Sequence, residues 1–207
     1  KFVEKISYFN KSKLKTVEYI SKSRTPYLPY SCIILDEIMK VTNPKNIICS
    51  ISGLREGSLS IDYFKDVKDS EIFHKAIENV AKKRGDLGSN YKKYYDFIQP
   101  VFEGNEHFNK KLLYLACVLS HMDWGLGAFQ KAELVFQETI NTPLLRLTHK
   151  ERIQLALSCY WRYCSIKYNP KMEYLTFLNN NEIFSSKQVG AALRFSQSLT
   201  SISTIFL

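Results

Sequence analysis

One short run of this 207-residue chain, "IICSIS" at 47–52, has the composition of a buried β-strand, and no second such run accompanies it. The helix before it is equally legible. Pro29 suits a first helical turn, where its missing N–H costs nothing, and Ile33, Ile34, Ile38 and Met39 follow as a broad apolar face before "TNPKN" stops the helix. Parallel sheets built from such helix–strand units need several strands, with helices on both faces. One unit cannot cover both faces of a sheet. Residues 1–66 are therefore expected to be the αβ tail of a larger domain whose remainder is absent or lies in another chain.

From residue 67 onward the apolar spacing is helical throughout. Asp69 or Ser70 can cap a helix containing Ile72, Phe73, Ile77 and Val80. "NYKKYYDFIQPVF" predicts another that ends near Pro100. "EHFNKKLLYLACVLSHMDW" is strongly apolar on one face and is expected to be the central helix, with "FQKAELVFQETI" next. Thr148 followed by Glu151 fits a capping box and predicts a helix from there to about Ile166. "SSKQVGAALRFSQSLTSI" is the last helix. The expected organisation is an αβ segment over 1–66 and an all-helical domain over 67–207, with the boundary at 64–68.

Cys32, Cys49, Cys117, Cys159 and Cys164 are odd in number, lie in apolar surroundings and form no C-x-x-C pair. They read as reduced core thiols of a cytoplasmic protein, not as a disulfide framework or zinc site. The opening "KFVEKISYFNKSK" lacks the apolar stretch of a signal peptide, and no run is long enough to cross a bilayer. The formal charge of +9 is dispersed. Without a nucleic-acid-binding module it predicts a general attraction to polyanions but no sequence-specific nucleic-acid binding.

"SISGLREGSLS", residues 50–60, reads as the exit from the strand. Gly53 and Gly57 would let the backbone turn sharply or approach a ligand closely. Arg55 could then hold a phosphate through two parallel donors, with Glu56 orienting it. Equally, Arg55 and Glu56 could lock the strand exit against a neighbouring helix, and Arg24 could serve an interdomain salt bridge. "SRTPYLPYSCIILDEIMKVTNPKNIICSISGLREGSL" resembles the closing segment of the actin-like domains of the exopolyphosphatase/guanosine pentaphosphate phosphohydrolase family. There an Arg precedes Leu-Pro, a helix follows, and a strand enters Ser-x-x-Gly-Leu-Arg-Glu-Gly. "DSEIFHKAIENVAKKRG", "YDFIQPVF", "LACVLSHMDWG" and "AALRFSQSLT" resemble successive helical blocks of its alphaproteobacterial members.

This resemblance implies a mainly α chain, an HD-like helical domain preceded by the tail of an actin-like (ribonuclease H-like) domain. It also implies Mg²⁺-dependent hydrolysis of terminal phosphoanhydride bonds in polyphosphate or guanosine pentaphosphate. The phosphate loops and catalytic carboxylate would lie in N-terminal actin-like domains, mostly before Lys1. No catalytic residue is thus expected within the chain. Substrate contacts are expected from Gly53, Arg55, Glu56, Gly57 and Arg24. HD domains that bind metal place His and Asp side by side; in "LSHMDWG" the dyad position reads Ser120-His121, with Asp123 displaced onto another helix face. His74, His107 and His149 show no metal spacing. The helical domain is expected to bind no metal and to supply packing, a basic channel wall or a homodimer contact. Tyr91, Tyr94 and Tyr95, interleaved with Lys92 and Lys93, are expected to give one core ring and two exposed ones. The competing reading is a noncatalytic helical module that binds a nucleotide, a polyanion or a protein.

Overall fold

Helices account for all the regular structure among the described residues of the computed structural model: 6, 8–17, 20–47, 53–63, 75, 77–82, 90–104, 109–121, 125–144, 147–168 and 172–202. The chain divides into two units, Lys1–Ser50 and Ile51–Leu207. The boundary expected at 64–68 lies outside the described residues, and so do 48–52, most of the expected strand. Asn46 and Ile47 have no regular structure.

In the first unit, α1 (Lys11–Leu14) is a single turn whose N-cap Asn10 accepts from the Lys13 N–H. A 3-10 turn, Thr25–Tyr27, leads into α2 (Leu28–Thr42), with Pro29 in the first turn as its missing donor predicts. Asn43 ends α2 in the left-handed region at φ 41°, donating its N–H to the Met39 carbonyl. A small core of Ile6, Leu14 and Cys32 gathers Phe9, Val17 and Leu28. The apolar face of α2 is not part of it: Ile33, Ile34, Ile38 and Val41 are all exposed, Ile34 to 61% and Val41 to 84%.

In the second unit, α3 (Leu54–Tyr63) is followed by a helical segment at 77–82 that buries Ile77 and Ala81. Its expected caps, Asp69 and Ser70, lie outside the described residues. Next comes α4 (Asn90–Ile98), which tightens into a 3-10 turn, Gln99–Phe102, where Pro100 cannot continue the α-helical ladder. Tyr91 and Tyr94 are both buried and Tyr95 is half-buried, so α4 gives the core two rings and part of a third. Tyr91 and Tyr95 each meet Tyr114 edge-on, at 5.7 and 5.3 Å between centroids.

The rest of the unit comprises α5 (Lys110–Leu119), α6 (Ala128–Asn141), α7 (His149–Tyr163), the short α8 (Met172–Leu175) and α9 (Asn180–Ile202). The Thr148 capping box forms as expected: the hydroxyl accepts from Glu151 N–H at 3.2 Å, and the Glu151 carboxylate accepts from Thr148 N–H at 2.8 Å. The central helix, however, is α7, not the "LLYLACVL" helix α5. Leu155 and Cys159 face a core cluster built with α4 and α5, while Ile153, Ala156, Leu157, Tyr160 and Trp161 face a second one with α6. Buried over most of its circumference, α7 serves two layers at once. Gly190 of α9 makes the closest approach to α7: a Cβ there would lie 2.6 Å from Trp161 Cβ and 2.9 Å from the Ser158 carbonyl oxygen.

Candidate functional site

The Gly53–Gly57 stretch forms the start of α3 and not an exit turn. Gly57 N–H donates to the Gly53 carbonyl, and the Glu56 carboxylate accepts the Gly53 N–H at 2.8 Å. Gly53 is thus the N-cap and Glu56 closes the first turn on it. Leu, Arg and Glu are good helix formers, and a carboxylate three residues past the cap nucleates the turn directly. Among the described glycines only Gly104 has a positive φ. Glu56 is engaged in this cap and does not orient Arg55. Arg55 is exposed in the first turn, and its guanidinium has no partner among the described residues. Arg24 belongs to the first unit. It precedes the Thr25–Tyr27 turn, accepts from the Tyr27 N–H through its carbonyl, and is also exposed.

At the other expected site, Ser120 ends α5 fully buried and His121 is half-buried beside it. Asp123, His74 and His107 lie outside the described residues, and His149 is exposed at the start of α7. Ser120 Oγ accepts from Arg162 Nη1 at 2.6 Å, and its carbonyl accepts from Tyr163 Oη at 2.7 Å. Arg162 is only 2% exposed; its Nε donates to Gln197 Oε1, and Nη2 is buried with no hydrogen-bond partner among the described residues. A metal cation does not fit beside Ser120, where this guanidinium already lies.

What makes a buried guanidinium tolerable here is the direction of the helices. The starts of α5, α7 and α9 lie together: Asn109 Nδ2 donates to Glu151 Oε1 at 3.3 Å, and Lys150 Nζ lies 3.5 Å from Glu182 Oε1. The C-terminal ends of α5 and α7 meet at Ser120 and Arg162, next to α9 residues Arg194 and Gln197. The Arg194 guanidinium donates to the carbonyls of Trp161, Arg162 and Cys164, closing the last turn of α7. Parallel helices add their dipoles. Carboxylates stand at the positive end (Glu151, Glu182), and guanidiniums stand near the negative end (Arg162, Arg194), as the macrodipole favours.

Between the three helix starts lies a cavity of about 300 Å³, with Asn109, Gln154, Asn181 and Ser185 among its polar lining and Leu113 and Val189 among its apolar lining. None of these residues was singled out by the sequence. They are spread from 109 to 189 and share only a position near a helix start, which Asn109 alone signals as a polar residue before an apolar run. Among the described residues no group of three or more His, Cys, Asp and Glu gathers as a metal site, and no helix is long and apolar enough to cross a membrane. No protein-family model and no curated protein matches the chain.

Proposed function

We propose that this chain is the C-terminal portion of an exopolyphosphatase-like phosphohydrolase, acting on polyphosphate or guanosine pentaphosphate with Mg²⁺ held by preceding actin-like domains. The observation that carries the reading is the uncovered face of α2. A helix with Ile33, Ile34, Ile38 and Val41 exposed is built to be covered. In a doubly covered α/β sheet such a helix packs on strands, so strands of the rest of the proposed actin-like domain would be the surface it lacks. Arg55 supplies the chemical side: an exposed guanidinium without a partner among the described residues, in the first turn of α3, where the helix dipole also favours an anion. The residues from 67 onward would then be an HD-like domain that contributes packing, a basic wall for long polyphosphate or a dimer contact.

The test is to isolate the native polypeptide, weigh it, and assay phosphate release from both substrates with Mg²⁺. The expected result is a mass well above 24.1 kDa, with hydrolysis by the whole polypeptide and none by the 207 residues alone. A native polypeptide of the size of this chain, or turnover by the isolated chain that survives repurification, would overturn the reading.

A further inference from the structure

The cavity among the starts of α5, α7 and α9 differs from a phosphate site in one respect that decides its ligand. Each helix start already has its capping partner. Asn109 Oδ1 accepts from the N–H groups of Lys111 and Leu112. Thr148 and Glu151 cap one another, and Asn179 and Glu182 do the same, at 2.9 Å from Glu182 N–H to Asn179 Oδ1 and 2.8 Å in return. The N–H groups held by these caps are not available to an anion, and the carboxylates of Glu151 and Glu182 repel one.

What faces the cavity without a partner is neutral. The Ser185 side chain, on a residue only 9% exposed, has no hydrogen-bond partner among the described residues. Nor do the side-chain amides of half-buried Gln154 and exposed Asn181. Each amide offers donors and an acceptor, and the hydroxyl offers one donor and two acceptor lone pairs. Beneath them, Leu113 and Val189 are almost fully buried and give an apolar floor. The volume, about 300 Å³, falls at the small end of ligand pockets, which run from roughly 300 to 1,000 Å³. A ligand that suits this lining is uncharged, carries adjacent hydroxyls that both donate and accept, and has an apolar ring face.

We infer that this cavity binds a sugar ring, free or carried by a nucleoside, through Gln154, Ser185 and Asn181. The site is independent of the phosphohydrolase reading and stands or falls separately.

Saturation-transfer NMR on the 207-residue chain tests it with D-glucose, D-ribose and uridine as probes and inorganic phosphate as the charged comparator. At least one of the three sugar probes should show transfer and titrate at millimolar concentration, phosphate binding more weakly. A signal from uridine alone would identify a nucleoside; one from a free sugar would identify the ring by itself. Gln154→Ala and Ser185→Ala should each weaken binding about tenfold, with helical circular dichroism unchanged. Asn181→Ala, at an exposed position that cannot disturb the core, should weaken it less but measurably. Tighter binding of phosphate than of every sugar probe would overturn the inference. So would the absence of transfer from all three up to about 50 mM, or wild-type binding by all three variants.

Discussion

Arg162 Nη1 donates to Ser120 Oγ at 2.6 Å across 42 residues of sequence, in an interior where the arginine is 2% exposed. The bond ties the end of α5 to the end of α7, and the guanidinium is held by neutral groups and helix-end carbonyl dipoles. Cys117 feels its charge from one side, and the Tyr163 ring lies 5.4 Å away. Ser120→Ala should therefore leave a second guanidinium nitrogen unpaired beside Nη2. The expected loss is about 1–3 kcal/mol of unfolding free energy. Ser120→Ala combined with Arg162→Met removes the stranded charge and keeps most of the stem volume, so part of that loss should return. Urea titrations of both single variants and the double variant measure the coupling; strict additivity would show that the two residues do not act together.

Gly190→Ala is predicted to destabilise the second unit. Helix propensity alone favours alanine by roughly 1 kcal/mol. Against that, the new methyl would meet Trp161 Cβ at 2.6 Å and backbone atoms of Ser158 and Trp161 at 2.9 Å, none of which is the loose end of a flexible chain. Overpacking of this kind costs about 1–3 kcal/mol, so the clash should win. A lowered denaturation midpoint, with Trp161 fluorescence altered in the folded state, is the expected outcome.

Cys117, Cys159 and Cys164 are buried thiols, none of them in a disulfide. Iodoacetamide should leave all three unlabelled in the native chain and modify them after unfolding, as peptide mapping by mass spectrometry would show. Burial raises the Cys117 thiol above its ordinary 9.0 and the Tyr114 hydroxyl above its ordinary 10.0. Both groups keep their protons in the folded state at pH values where the unfolded chain loses them. The stability they contribute is complete below about pH 9 and falls as the pH rises past the unfolded thiol and then the unfolded hydroxyl. Denaturant midpoints should be flat from pH 7 to 8 and decline above 9, less steeply in Cys117→Ala.

Arg55→Lys tests the proposed phosphate contact in the complete native polypeptide. Lysine keeps the charge but not the two parallel donors. Losing one charge-assisted bond in a desolvated site costs about 2–3 kcal/mol, or roughly 30- to 150-fold in rate. Because Arg55 is exposed and Glu56 makes the cap, the melting temperature should stay put. A lower melting temperature with normal turnover in the folded fraction would instead make Arg55 a structural residue.

Much of the local architecture was legible from short-range chemistry. Thr148 and Glu151 three residues apart predict the cap that forms, and Pro29 marks the helix start that is observed. The long apolar patterns predict α4, α5, α6, α7 and α9 as helices, with ends displaced by a few residues, whereas the one-turn α8 has no such pattern. Gly53 to Gly57 were misread because glycines near a strand-like run suggest a turn. Here the Gly53 N–H donates to the Glu56 carboxylate, a bond invisible without coordinates, and caps them as a helix start.

The sequence by itself determined the starts of α2 and α7 and the helical character of α4, α5, α6 and α9, because caps, proline and periodicity act over a few residues. Only the tertiary structure decided that α7 is the centre, that α5, α7 and α9 begin at one end, and that Arg162 meets Ser120. It alone brought Asn109, Gln154 and Ser185 around one cavity. Those relationships depend on which helix packs beside which and in what direction. The aligned dipoles that follow, and the charges placed to offset them, exist only once three separate segments run side by side in one direction.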